Sequence, residues 1–364
     1  MHLIIIVNSM NSLYYLSFFL MLLFPSCSKS EGQIEKIVNS MPKNIQKLEL
    51  KGEMLSIDLL HPTDFIAIDT FLLIMQHHEE NIINVYSANS HKFLAKFLRR
   101  GGGPDDVNVF GRCSQWFMED GEPKVMVQSY PTYLGVLNVR ESVKANKPVF
   151  DKKYKFETPK GKELFAASHS VYLLNDEELL MTKDAVRSGV RGSNNFYFEY
   201  YNYVEDSQRL DKVQYEDFPL MEALHKSSNR ILKPNRSQIA MLYSYFPILT
   251  IANIETGEIK QIHFSSSEYN VENAIKHDTR CMFWGEGEAT DEYIFGLSWN
   301  GCKVAQLDED NIYPVLYVFN WKGEPIYQYV FDRNIQMISV DDKQKYLYAV
   351  DSEDKIYRYA LDDI

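Results

Sequence analysis

Four short apolar runs follow one another between residues 64 and 106. They occupy 65–68, 71–75, 82–86 and 93–98, separated by polar or turn-forming residues at 69–70, 76–81 and 87–91. Each run has the length of a β-strand and is too short for a helix. Strands joined by tight polar turns pair with their sequence neighbours, so the stretch predicts a four-stranded antiparallel meander. After it comes Arg99-Arg100-Gly101-Gly102-Gly103-Pro104-Asp105-Asp106. Glycines there permit positive φ and Pro104 fixes the chain direction, which suits a crossover from the outer strand of one sheet to the inner strand of the next.

The same rhythm recurs down the chain. A second unit reads 110–118, 124–130, 133–139 and 149–156, and a third reads 164–174, 178–183, 196–204 and 210–215. A fourth reads 230–233, 238–242, 248–254 and 258–264, and a fifth 279–284, 292–299, 313–320 and 325–331. The sixth has three runs, 335–340, 345–350 and 355–359, before the chain stops at Ile364. Two strand-like runs, 47–50 and 54–60, precede the first unit. An open sheet would expose its edges, so an N-terminal strand is expected to complete the sixth unit. The fold expected is all-β, a six-bladed β-propeller whose last blade is closed by the N-terminal strand. A two-sheet sandwich with insertions accommodates so many four-strand units poorly.

Three stretches resemble the six-bladed TolB-like propeller lipoproteins of Gram-negative bacteria. The first is the I-x-x-D-x-x-L-L-I start of the first blade, with Ile66, Asp69, Leu72, Leu73 and Ile74. The second is the Arg-x-Gly-x-Gly-Pro-acidic crossover from Arg99 to Asp105. The third is the last blade, Tyr346-Leu347-Tyr348-Ala349-Val350-Asp351-Ser352 followed by Ile356-Tyr357-Arg358-Tyr359. The middle blades match in rhythm only. Many members of that family have no assigned activity, so the resemblance implies the fold more than a function.

The N-terminus modifies the picture. Residues 13–24 form an apolar h-region, and Phe24-Pro25-Ser26-Cys27 places a small residue before a cysteine, as in the lipobox of bacterial lipoproteins. Phe24 and Pro25 depart from the usual lipobox residues, and the n-region lacks Lys and Arg; initiation at Met10 gives a more usual signal. The alternatives are an uncleaved anchor over 3–23, interrupted by polar residues, and ordinary secretion. Each carries the body out of the cytoplasm. The expected organisation is a signal peptide at 1–26, a lipidated tether at 27–44 beginning with Cys27, and a propeller at 45–364. Placement in the cell envelope follows, on the outer membrane and facing either the periplasm or the exterior.

Composition narrows the function. The 364 residues are 45% hydrophobic and 13% aromatic, with 24 Tyr and 21 Phe, which suits a large β core. A net charge of -12 disfavours nucleic acid as a partner. Cys27, Cys113, Cys281 and Cys302 show no zinc-ligand spacing. Cys113, Cys281 and Cys302 are expected as buried free thiols, the alternative being a Cys281–Cys302 disulfide within the fifth blade.

In a meander the loops alternate between two faces, so loops from second to third strands share a face with the crossovers. That face receives the candidate ligand-binding residues His77, His78, Arg99, Arg100, Tyr130, Tyr245 and Trp299, and the long connections 184–195, 265–278 and 301–312. His77-His78-Glu79-Glu80 has no matching second element and reads as a solvated turn rather than a metal site. Tyr243-Ser244-Tyr245-Phe246 is either core strand or an aromatic platform. No Ser/His/Asp order, G-x-S-x-G elbow or phosphate loop is present, and no catalytic pair or cofactor is indicated. The reading is a monomeric, lipid-anchored propeller that binds a glycan, a peptide or a protein partner on its loop-rich face. The alternatives are a propeller enzyme, a metal-dependent lactonase, hydrolase or lyase with its site in the central channel, and a periplasmic assembly scaffold.

Overall fold

The computed structural model describes residues 34–40, 45–58, 60–110, 115–156, 168–184, 196–214, 228–265, 276, 279–307, 312–341, 343 and 345–361. The chain divides into two units, 1–33 and 34–364. The signal peptide, Cys27 and Cys113 lie outside the described residues. Among the described residues no helix is long and apolar enough to cross a membrane.

The described residues of 34–364 form six sheets, antiparallel apart from two added outer strands, arranged as a six-bladed β-propeller. Blade 1 consists of Asp64–Ile68, Phe71–Met75, Asn81–Ser87 and Phe93–Arg99, hydrogen-bonded in that order. Its second strand is buried at every position, because both faces of the sheet are covered by neighbouring blades. Two-residue hairpin loops need positive φ for their twist to match that of the strands. Asp69 (φ 52°) supplies it in blade 1, and Asp120 (φ 54°) with Gly121 (φ 78°) supplies it in blade 2. Asp69 also accepts an ion pair from Arg140 at 3.0 Å, and Asp351 accepts the backbone N–H groups of Glu353 and Lys355, so both aspartates serve their turns.

Blade 2 contains Glu122–Tyr130, Tyr133–Asn138 and Phe150–Lys155, with its inner edge made by Val109–Phe110 and Gln115–Glu119. A helix, Val139–Ala145, joins its third and fourth strands. The third run therefore ends one residue early: Asn138 caps the helix by accepting from the Glu141 N–H, and Asn146 closes it at φ 48°. Blade 3 is Ser168–Leu173, Glu178–Asp184, Phe196–Asn202 and Ser207–Gln214.

The N-terminal segment does more than complete one blade. Blade 4, Ser228–Leu232, Gln238–Tyr243, Ile248–Asn253 and Ile259–Ser265, gains a fifth strand, Ile34–Ser40, parallel to its outer edge. Blade 5, Cys281–Ala289, Tyr293–Lys303, Val315–Asn320 and Pro325–Val330, gains Gln46–Glu49 in the same way. Only Glu53–Met54 closes blade 6, pairing antiparallel with Ile356–Ala360, the last of Ile335–Val340, Tyr346–Asp351 and Ile356–Ala360. Thus 27–44, read as tether, contributes a strand, and the run at 47–50 belongs to blade 5. The pairing protects the outer edges of three successive blades.

The core is divided into six apolar wedges, one between each pair of neighbouring blades. The wedge between the last and first blades packs Tyr348, Val350 and Ile356 against Phe65, Ala67, Leu72 and Ile74. That contact closes the ring. Cys281 and Cys302 form no disulfide with each other; Cys281 is buried, and Cys302, expected buried, is only partly so.

Candidate functional site in the central channel

The inner strands of the six blades point their edges at the ring axis. Neighbouring inner strands diverge too far to pair, so side chains satisfy the backbone groups they would leave open. Gln115 of blade 2 accepts from the Leu173 N–H (2.7 Å) and donates to the Leu173 carbonyl (2.9 Å) of blade 3. Tyr172 of blade 3 donates to the Arg230 carbonyl of blade 4 at 2.9 Å, and Asn229 of blade 4 donates to the Gly285 carbonyl of blade 5 at 2.7 Å. Ser339 of blade 6 accepts from the Ala67 N–H of blade 1 at 2.9 Å. These bonds tie the channel wall together at four of the six blade junctions.

Within it lies a cavity of about 300 Å³ lined by residues of all six blades. Asp64 and Ser228, the first residues of their strands, line it toward the loop-rich face, and Pro234 lines it in the turn at the other end. The wall is polar, with Asp64, Gln128, Ser170, Arg230, Glu286 and Glu288, and the rings of Trp116 and Tyr172 complete it.

Glu286 and Glu288 share one side of an inner strand because side chains alternate with period two. Gly287 occupies the other side, toward blade 4, whereas Gly285, at a register irregularity between Trp284 and Gly287, faces Trp299 of its own blade. A Cβ on Gly287 would sit 2.5 Å from Ile231 Cδ1 and 2.8 Å from Leu242 Cδ1, so glycine is what lets blade 5 approach blade 4. Glu288 reaches across the channel. Its Oε1 accepts from Trp116 Nε1 at 3.2 Å and from the Ala289 N–H at 3.0 Å. Trp116 belongs to blade 2 and Glu288 to blade 5, three blades apart in a ring of six, so this bond spans the axis. Glu288 is enclosed by protein and keeps open only the surface that lines the cavity. Burial raises its pKa from 4.5 to about 7; its two hydrogen bonds oppose the rise, and the charges of Asp64 and Glu286 add to it.

The candidates read from sequence lie at the loop-rich end but do not converge. His77, His78, Arg99 and Arg100 gather at the junction of blades 1 and 2. His77 packs edge-on against Phe110 (4.9 Å), and burial, then Arg100 and His78, lower its pKa. Arg99 meets Glu80 at 3.4 Å with both side chains exposed, a pairing that water largely screens. The crossover itself is pinned: Gly103 N–H donates to Asp106, and Lys153 pairs with Asp105 at 2.6 Å. Tyr130 is exposed and packs edge-on against Phe156. On the far side of the ring, Tyr245 lies under the Arg280 guanidinium (4.8 Å), while Tyr243 and Phe246 are core. Trp299 is 7% exposed and packs against Gly285, so it does not project into solvent as strand alternation alone suggested. The connections 185–195, 266–275 and 308–311 lie outside the described residues. Among the described residues, no three His, Cys, Asp or Glu side chains are grouped to hold a metal ion.

The channel residues escaped the sequence reading because the inner strand of blade 5 was expected to end at 284. It runs to Ala289. The available signal was Gly285-Glu286-Gly287-Glu288, two carboxylates at period-two spacing in an otherwise apolar strand.

No family model matches the chain. No curated protein matches it either. Solved structures with a similar fold exist. One is a member of the DUF4221 family from Bacteroides vulgatus ATCC 8482, with a TM-score of 0.55 and 11% identity, covering 86% of this chain and 97% of that one. Another is a predicted exported protein from Bacteroides fragilis NCTC 9343, with a TM-score of 0.50 and 13% identity, covering 90% of this chain and 99% of that one. At these identities the likeness to both is one of fold.

Proposed function

We propose that this protein is an exported, lipid-anchored propeller of the outer membrane of a Gram-negative cell, and that it binds a glycan or peptide through its loop-rich face and central channel. The observation that carries the reading is the cavity: a polar, partly aromatic pocket lined by residues of all six blades. Concave sites with a few convergent polar groups on a fixed scaffold are where ligands bind. The apolar N-terminus ending at Ser26-Cys27 and the resemblance to TolB-like lipoproteins support export and lipidation. The -12 charge disfavours nucleic acid.

Two experiments test the two halves. Glycan and peptide arrays probed with the purified full chain should return a ligand whose binding falls at least about tenfold in a Glu286→Gln variant. If no array member binds, the binding reading is wrong. Cys27→Ser should abolish labelling by a fatty-acid analogue while the chain is still exported, and unchanged labelling would remove Cys27 as the acylated residue.

One observation favours an enzyme as the second reading. A carboxyl whose pKa burial raises to about 7 inside the channel is suited to moving protons at neutral pH. A lactonase, hydrolase or lyase would turn over its substrate and lose that turnover in Glu288→Gln, and a metal-dependent one would lose it to a chelator.

A further inference from the structure

The two ends of the channel are built differently. At the loop-rich end the cavity reaches Asp64 and Ser228, the first residues of their inner strands. At the other end it meets Pro234, in the turn 233–237 that joins the first two strands of blade 4. Three other blades hold that turn. The Asn235 N–H donates to Asp291 of blade 5 at 2.8 Å. Arg236 donates from Nη1 to the Leu174 carbonyl of blade 3 at 3.1 Å; its guanidinium lies 4.1 Å from the centre of the Phe117 ring and 3.9 Å from Glu119, both of blade 2. Blades 2 and 5 face each other across the axis, so a turn fastened to both lies across the end of the channel. Glu288, one residue from the end of its strand at this same end, crosses the axis between the same two blades to reach Trp116.

We infer that the channel is a blind pocket, entered only through its loop-rich mouth, and that it takes the terminal sugar of a neutral glycan chain. This rests on the binding function above and names the class of the ligand and the part of it that enters. A chain cannot thread a pocket closed at one end, so it goes in by its own end. The volume, about 300 Å³, is at the lower end of ordinary ligand pockets and suits a terminal unit better than a folded segment. A peptide end carries an ammonium or a carboxylate, and taking a charge out of water is costly. A glycan end brings no charge, and each of its hydroxyls both donates and accepts. Such hydroxyls match a wall that mixes the Gln128 amide, the Ser170 hydroxyl, the Arg230 guanidinium and the Glu286 carboxyl. They also meet Glu288 equally well whether it is protonated or ionised. The rings of Trp116 and Tyr172 offer flat apolar surface to the C–H faces of a sugar.

The test uses an array of neutral oligosaccharides coupled through their reducing ends, each with a terminal sugar unlike the rest of its chain. The full chain in detergent is the probe, and a peptide array and cyclic oligosaccharides serve as comparisons. Binding should fall at least about tenfold when an exoglycosidase removes the terminal sugar, and a closed ring should bind at least about tenfold more weakly than a linear chain of the same sugars. Ser170→Trp, which fills the pocket, should abolish binding at an unchanged melting temperature. Glu288→Gln, which removes a carboxyl that meets the sugar, should weaken it. If Ser170→Trp fails to fold, Glu286→Gln and Glu288→Gln locate the site in its place. Binding that survives trimming, rings that bind as tightly as linear chains, or a folded pocket variant that binds as well as wild type would overturn the proposal and leave the binding function standing. Peptides that bind where no glycan does would have the same consequence. Silence from both arrays would end both.

Discussion

Replacing Glu288 by Gln removes one ionisable group from the channel and leaves its shape and its acceptor for Trp116 in place. In the folded protein this carboxyl titrates near 7 instead of 4.5, a difference of about 2.5 pH units, chiefly because burial penalises its charged form. At 1.36 kcal/mol per unit the difference amounts to about 3 kcal/mol. The sign follows from proton uptake. Between pH 4.5 and 7 the folded state holds the proton more tightly than the unfolded state, so stability falls as pH rises through this window. Below it the contribution is fully present; above it the folded protein bears the whole cost of a buried charge. Gln cannot ionise and escapes that cost. Glu288→Gln should therefore be about 3 kcal/mol more stable than wild type at about pH 8 and equal to it below about pH 4. Urea denaturation of both proteins across the pH range measures the difference, in which every other titrating group cancels. Parallel stability curves, with a constant offset at all pH values, would show that Glu288 is not buried as an acid and would refute the reasoning. Such a gain in stability alongside a loss of binding is the trade expected of a residue kept for function.

Other outcomes follow from the packing. Gly287→Ala places a Cβ against Ile231 and Leu242 and should cost about 1–3 kcal/mol, read from the same denaturation curves. Gln115→Ala leaves the buried Leu173 N–H and carbonyl without partners at the blade 2–blade 3 junction and should cost about 1–3 kcal/mol, with faster amide exchange at Leu173. Deletion through Ser40 uncovers one edge, that of blade 4. Deletion through Met54 also uncovers blade 5, opens blade 6 and removes the buried Leu50. The melting temperature should therefore fall far more for the second deletion than for the first, and equal falls would mean that the strand at 53–54 does not close the ring.

Much of the architecture was legible because its determinants are local. The runs at 65–68, 71–75, 82–86 and 93–98 coincide closely with the four strands of blade 1. Turn residues such as Asp69 and Gly121 carry their own φ preference, and a three-run final unit implied an N-terminal strand to finish it. Non-local pairing was not legible. Ile34–Ser40 and Gln46–Glu49 add to blades 4 and 5 as parallel outer strands, a register set by distant partners and not by their own sequence. The helix Val139–Ala145 replaced a loop through a cap, Asn138, that the apolar pattern does not display. Trp299 looked exposed at the end of a strand, and only the neighbouring Gly285 leaves room to bury it.

The channel divides the same way. Alternation along 285–288 places two carboxylates on one side of a strand, and that much is a property of the sequence. What lies opposite is a property of the ring. With six blades, blade 5 faces blade 2, so Trp116 and Glu288, 172 positions apart, meet across the axis. Their separation depends on strand twist, on the close approach that Gly287 permits and on the wedge that closes the ring between the first and last blades. The pKa of Glu288 is likewise absent from the sequence, because burial is its largest cause and burial exists only once all six blades surround it.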